Sequence, residues 1–186
     1  MNSKINETKL TTKKSKLSLD KHIAEVPNFP KKGITFYDIS PILESPKLLK
    51  QTIDALCEEA TVFKPDLICG IDARGFLFAT PLAYNLNCGV IMIRKSNKLP
   101  GNVIEKKYEL EYGSSSLSLQ KKRNLNGKNL LIVDDLLATG GTLKCAEDLI
   151  SEVGGDVVLT IVAIELNALK GRERIQSDVF SVLSYD

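Results

Sequence analysis

Residues 129–166 place the tightest limit on the fold. They run as an apolar stretch NLLIVDD (129–135), a helical stretch TGGTLKCAEDLISEVGG (139–155) that closes on glycines, and a second apolar stretch DVVLTIVAIEL (156–166). Both apolar stretches are aliphatic at successive positions, so the sheet they enter must be covered on both faces. A helix between two such strands is the crossover that parallel pairing requires. The same alternation occurs earlier, in strand DLICGID (66–72), helix ARGFLFATPLAYNL (73–86) and strand GVIMIRK (89–95), and VFSVLS (179–184) reads as a fifth strand. The expected class is α/β, a central parallel sheet with helices on both faces. In such sheets ligands sit beyond the carboxyl ends of the strands, here after Asp72, Lys95, Asp135 and Leu166.

The segments between these strands are less regular. VPNFPKKGITFYDISP (26–41) is rich in Pro and Gly and reads as an ordered loop. Ser45-Pro46 opens a helix whose apolar stripe is Leu48, Leu49, Thr52, Ile53, Leu56 and Cys57. Residues 96–128 are polar with little aliphatic patterning and read as a long excursion from the core. Five lysines within residues 1–16, opposed only by Glu7, mark a solvated tail. The expected organisation is a flexible lysine-rich tail over 1–19 and one domain over 20–186.

Composition removes several classes of chemistry. His22 is the only histidine, which excludes multi-histidine metal sites and Ser-His-Asp or Cys-His catalysis unless His22 itself serves. Cys57, Cys69, Cys88 and Cys145 are widely spaced and form no CxxC pair, as expected for free thiols in a reducing compartment. No apolar run approaches the ~20 residues of a membrane span. A net charge of +2 gives no bulk argument for nucleic acid, although the basic tail could act as an arm.

The chemistry concentrates in LLIVDDLLATGGT (130–142). A buried strand ends in Asp134-Asp135, and a Thr-Gly-Gly-Thr turn opens the following helix. Glycines let backbone amides close on an anion, threonine hydroxyls add donors, and the helix N-terminus adds positive potential. There is no GxxxxGK[ST] for a triphosphate and no GxGxxG for a dinucleotide. Adjacent carboxylates repel a bare phosphate unless they face hydroxyls or a metal. A sugar phosphate resolves the conflict, with its phosphate on the loop and its hydroxyls on the carboxylates.

VDDLLATGGT resembles the phosphoribosyl-pyrophosphate motif of the type I phosphoribosyltransferases. PNFPKKGITFYDISP (27–41), ARGFLF (73–78), IRKSNKLPG (93–101), LEYG (110–113) and ALKGRE (168–173) narrow the resemblance to the branch that uses adenine. It extends from about residue 20 to the C-terminus. It implies a small hood and a flexible flap (about 97–120) added to the sheet, with Asp134 and Asp135 on the ribose. Ala138, Thr139, Gly140, Gly141 and Thr142 would take the 5-phosphate. Arg74, Lys95 and Lys98 would take pyrophosphate, in competition with a salt bridge from Arg74 to Asp72 and a solvated charge run at 94–98.

The same resemblance implies that Glu111, in the flap, does the proton work while Tyr112 shields the site. Thr35, Phe36, Tyr37, Leu136 and Leu166 would hold adenine, although many relatives carry Arg where this chain has Tyr37. The implied partners are phosphoribosyl pyrophosphate with Mg²⁺ and adenine as substrates, AMP and pyrophosphate as products, and a second copy in a homodimer. The implied setting is cytoplasmic, with no membrane and no nucleic acid. Two alternatives stay open: another purine base, and a non-catalytic sensor that reports phosphoribosyl pyrophosphate to a nucleic-acid site.

Overall fold

The computed structural model describes residues 18–186 except 111–112 and 122–123. The lysine-rich stretch 1–17, Glu111 and Tyr112 therefore lie outside the described residues. Ahead of the main sheet, β1 (Ala24–Pro27) and β2 (Thr35–Asp38) pair antiparallel, with Val26 opposite Phe36. Much of the expected loop at 26–41 is thus regular, and a short helix α1 (Ser40–Glu44) follows it. Strands of four residues are too short to display an alternation, so the Pro and Gly signal dominated there. Helix α2 (Pro46–Phe63) starts as expected: the Ser45 hydroxyl accepts from the Leu48 amide at 3.4 Å, and Thr52, Ile53, Leu56 and Ala60 are buried.

The main sheet is built from β3 (Leu67–Ile71), α3 (Gly75–Leu86), β4 (Gly89–Lys95), β5 (Val103–Leu110), β6 (Gly113–Gln120), β7 (Asn129–Leu137), α4 (Gly141–Glu152), β8 (Asp156–Leu166) and β9 (Asp178–Tyr185). Its order is β5-β6-β4-β3-β7-β8-β9. From β4 to β9 every pairing is parallel, and the expected strands and crossovers are all present.

The polar excursion behaves differently from its sequence reading. β5 and β6 form an antiparallel hairpin that joins the sheet through β6 and β4, with Arg94 opposite Ser118 and Lys95 opposite Leu117. Ile104, Leu117, Leu119 and Leu125 from this region are buried in the core. Serines interleaved with these aliphatics hid the strand period.

Alternate residues of β7 serve opposite faces. Leu131 and Val133 join the core beneath α2 and α3, while Leu130 and Ile132 join the one beneath α4. Helix α3 therefore crosses one face and α4 the other, and between β3 and β7 the chain changes sides. That is the topological switch point, where open α/β sheets leave a crevice.

Helix α3 reaches this crevice only because Gly75 has no side chain. A Cβ there would lie 2.5 Å from the Val133 carbonyl oxygen and 3.2 Å from the Asp134 Cα. Gly75→Ala is expected to destabilise the protein by about 1–3 kcal/mol, since the contact is with backbone and cannot yield cheaply. Urea denaturation checks this, and an unchanged midpoint would mean that α3 sits farther from β7.

Candidate functional site

A cavity of about 620 Å³ opens at the carboxyl ends of the central strands. Thr35, Phe36 and Tyr37 of β2 form one wall. Asp134, Asp135 and Leu136 of β7, the turn from Ala138 to Gly140 and the first residues of α4 form the floor, and Arg74 and Leu166 complete it. Residues expected to hold a base and those expected to hold a sugar phosphate thus share one space. Lys95 and Lys98 do not line it. They stand exposed at the end of β4 and in the turn after it, on the same edge of the sheet.

The turn from Ala138 to Gly141 is shaped by backbone contact. Gly140 has φ +80°, and a Cβ on it would collide with the Gly171 carbonyl oxygen. No side chain caps α4 and its first turn holds no acid, so its leading amides are left for a ligand. A Cβ on Gly141 would lie 2.8 Å from the Glu109 carbonyl oxygen. The β5–β6 hairpin therefore reaches the mouth of the cavity immediately before residue 111.

The two carboxylates differ. The Asp134 Oδ1 accepts from the Asp135 amide at 2.9 Å, and burial and the Asp135 charge push the Asp134 carboxyl well above its ordinary range. Asp135 is buried, with its Oδ2 3.0 Å from the Arg74 Nε in an ion contact and no hydrogen bond among the described residues. Arg74 also lies over the Phe36 ring, 5.0 Å from its centroid. It does not pair with Asp72, which instead accepts from the Arg94 Nε at 3.0 Å, and Arg94 donates to the Lys98 carbonyl at 3.1 Å.

Phe36 keeps its place in the cavity wall with Phe29 edge-on at 5.2 Å. The half-buried Tyr37 ring packs on Tyr185 at 4.8 Å, against the core beneath α2 and α3. The departure at position 37 thus has a packing partner at the C-terminus. Lys31 and Leu169 also line the cavity and were missed. The basic pair Lys31-Lys32 in the β1–β2 connection was a signal for the first. Leu169 lies in the ALKGRE segment that carries the resemblance, but no apolar period there pointed to a cavity role.

Comparison with known proteins agrees with this geometry. The family model for the phosphoribosyl transferase domain matches residues 39–186. The chain is 45% identical over 170 residues to adenine phosphoribosyltransferase of Rhodospirillum rubrum, covering 91% of this chain and 99% of the relative. It is similar in structure to adenine phosphoribosyltransferase of Thermoanaerobacter pseudethanolicus, with TM-score 0.87, 43% identity and coverage of 90% and 98% of the two chains. The enzyme from Saccharomyces cerevisiae, solved with adenine and an iminoaltritol bisphosphate, gives TM-score 0.84 and 39% identity, covering 89% of this chain and 97% of that one.

The raised Asp134 carboxyl carries a stability cost with a definite sign. The folded state binds its proton more tightly than the unfolded state, so stability falls as pH rises from the ordinary Asp value through the folded one. Asp134→Asn keeps the acceptor for the Asp135 amide and removes the charge. It is expected to melt at a higher temperature than the parent, with the gap wider at about pH 8 than at about pH 4. Thermal melts across that range test this, and a gap that narrows with rising pH would contradict it.

Proposed function

The chain belongs to the phosphoribosyl transferase domain family, among its adenine phosphoribosyltransferases, and we propose that it transfers the 5-phosphoribosyl group of phosphoribosyl pyrophosphate to adenine, giving AMP and pyrophosphate. The observation that carries this reading is a single cavity joining three features: open α4 amides at a glycine turn, twin carboxylates beside them, and an apolar slot between Phe36 and Leu166. The 5-phosphate takes the amides of the 138–142 turn and the hydroxyls of Thr139 and Thr142. Asp134 and Asp135 accept from the ribose hydroxyls. Leu136, Leu166 and Phe36 enclose the purine, with backbone groups near Thr35 and Tyr37 reading its polar edge.

Arg74, Lys95 and Lys98 take the pyrophosphate. Arg74 must then exchange Asp135 for phosphate oxygens, a better bidentate partner. Mg²⁺ fits this site as a substrate-borne ion. The buried, hydrogen-bond-free Asp135 Oδ2 is a hard oxygen donor, and Mg²⁺ is commonly held by one or two carboxylates together with substrate phosphates. When bound, the ion neutralises charge that gathers on the departing pyrophosphate.

In the reaction a ring nitrogen of adenine bonds to the anomeric carbon with inversion. Pyrophosphate leaves with the bonding pair, and the base gives up one proton. Glu111 handles that proton; two residues earlier in the sequence, the Glu109 carbonyl oxygen lies against Gly141. Closure of the hairpin over the site excludes water that would hydrolyse the activated sugar. Residues 18–186 work as one unit; Leu19, expected within the tail, is instead buried in the core beneath α2 and α3.

The same reading includes a homodimer. Leu77 and Tyr84 on α3 and Val90 and Met92 on β4 are exposed apolar side chains, Tyr84 at 87%, and α3 lies along β4. Such a patch marks an interface.

Three outcomes are expected. Purified protein forms AMP from adenine, phosphoribosyl pyrophosphate and Mg²⁺ in preference to hypoxanthine, guanine or xanthine, and Glu111→Leu lowers turnover by about 10²–10⁴ with phosphoribosyl-pyrophosphate binding near normal. Product chromatography and calorimetry read both, and full turnover in Glu111→Leu would remove that residue from the mechanism. The double variant Tyr84→Lys, Met92→Lys is expected to run as a monomer by light scattering where the parent runs as a dimer.

A further inference from the structure

The segment that follows β8 carries no substrate role above, yet three separate contacts bind it to the floor of the site. Glu165, 5% exposed at the end of β8, accepts from the Arg172 Nε at 2.9 Å and from a second Arg172 nitrogen, while the Ser181 hydroxyl donates to it at 3.0 Å. Arg172 also donates to the Val179 carbonyl at 2.5 Å. Farther along, Glu147 of α4, 4% exposed, accepts from the amides of Gln176 and Ser177 at 3.0 Å. Between these anchors Gly171 meets the anion-binding turn: a Cβ on it would lie 2.9 Å from the Gly140 amide nitrogen and would collide with the Ala138 carbonyl.

We infer that Arg172, clamped by Glu165, is a positioning residue that seats Gly171 under the 138–140 turn and so holds the loop amides ready for the 5-phosphate. Arg172 does not line the cavity. The turn reaches its form with Gly140 at φ +80° and no side-chain cap, so its shape depends on what lies beneath it. The two-pronged carboxylate–guanidinium pair supplies direction as well as attraction, which an ammonium would not. The inference rests on the functional reading above, because it presumes that the turn takes a sugar's phosphate.

The test uses the full chain and ribose 5-phosphate, which lacks both base and pyrophosphate. Arg172→Gln is expected to weaken ribose 5-phosphate binding at least about tenfold, as small misplacements at such sites do. It should raise the KM for phosphoribosyl pyrophosphate while kcat at saturation stays within about threefold of the parent. Arg172→Lys, which keeps the charge and loses the fork, should fall between the two. Folded fraction is read by circular dichroism in the same samples. Binding within about twofold of the parent in folded Arg172→Gln overturns the inference, as does a loss that only tracks unfolded protein. A parent protein that neither binds ribose 5-phosphate nor forms AMP overturns the functional reading as well. An active parent beside an unaffected variant sinks only the clamp.

Discussion

Between β3 and β7 the chain sends its crossovers to opposite faces, α3 over one and α4 over the other, and the strand ends there have no helix above them. Everything at the site follows from that divergence. Arg74 arrives from β3, the twin carboxylates arrive from β7, and the N-terminus of α4 opens between them. Gly75 lets α3 start close enough to β7 for Arg74 to reach Asp135. A side chain at that one position would widen the gap and part the charges that the cavity brings together.

The electrostatics of the site suit a ligand that carries both an anion and hydroxyls. Asp134 and Asp135 adjoin each other with little water, so one carboxyl retains its proton easily and the other leans on Arg74. On the proposed reading a sugar phosphate would relieve both conditions, its hydroxyls donating to the acids and its anionic groups drawing on the cations and the α4 amides. Arg74, resting on Asp135 and Phe36 beforehand, occupies ground that ribose and base would take. Occupation of the site and rearrangement of that guanidinium are therefore one event.

The parallel strands were legible because burial on both faces leaves an unmistakable run of aliphatics: β4 and β8 have the boundaries expected from GVIMIRK and DVVLTIVAIEL. The hairpin at 103–120 was not legible. It joins the sheet by an edge, mixes serine with leucine in β6, and sets charges at three successive positions, 105–107, in β5, so no hydrophobic period stood out. The β1–β2 pair was lost for a different reason, since four-residue strands beside a Pro-rich turn carry turn chemistry more strongly than strand chemistry. At the site, residues joined by one motif came out together in the cavity wall, while Lys95 and Lys98, chosen by the resemblance of IRKSNKLPG, stand outside it.

By itself the sequence determined the local chemistry: a strand that ends in two acids, a glycine turn that exposes amides, and a helix that starts directly after it. These are short-range properties of residues 130–142, and short-range stereochemistry can be read along a chain. Only the tertiary structure decided which cation neutralises which acid, that Tyr37 lies on Tyr185, and that Gly171 supports Gly140. Those pairings join residues that lie far apart in sequence. Their geometry depends on how the two faces of the sheet are filled, and no local pattern carries that information.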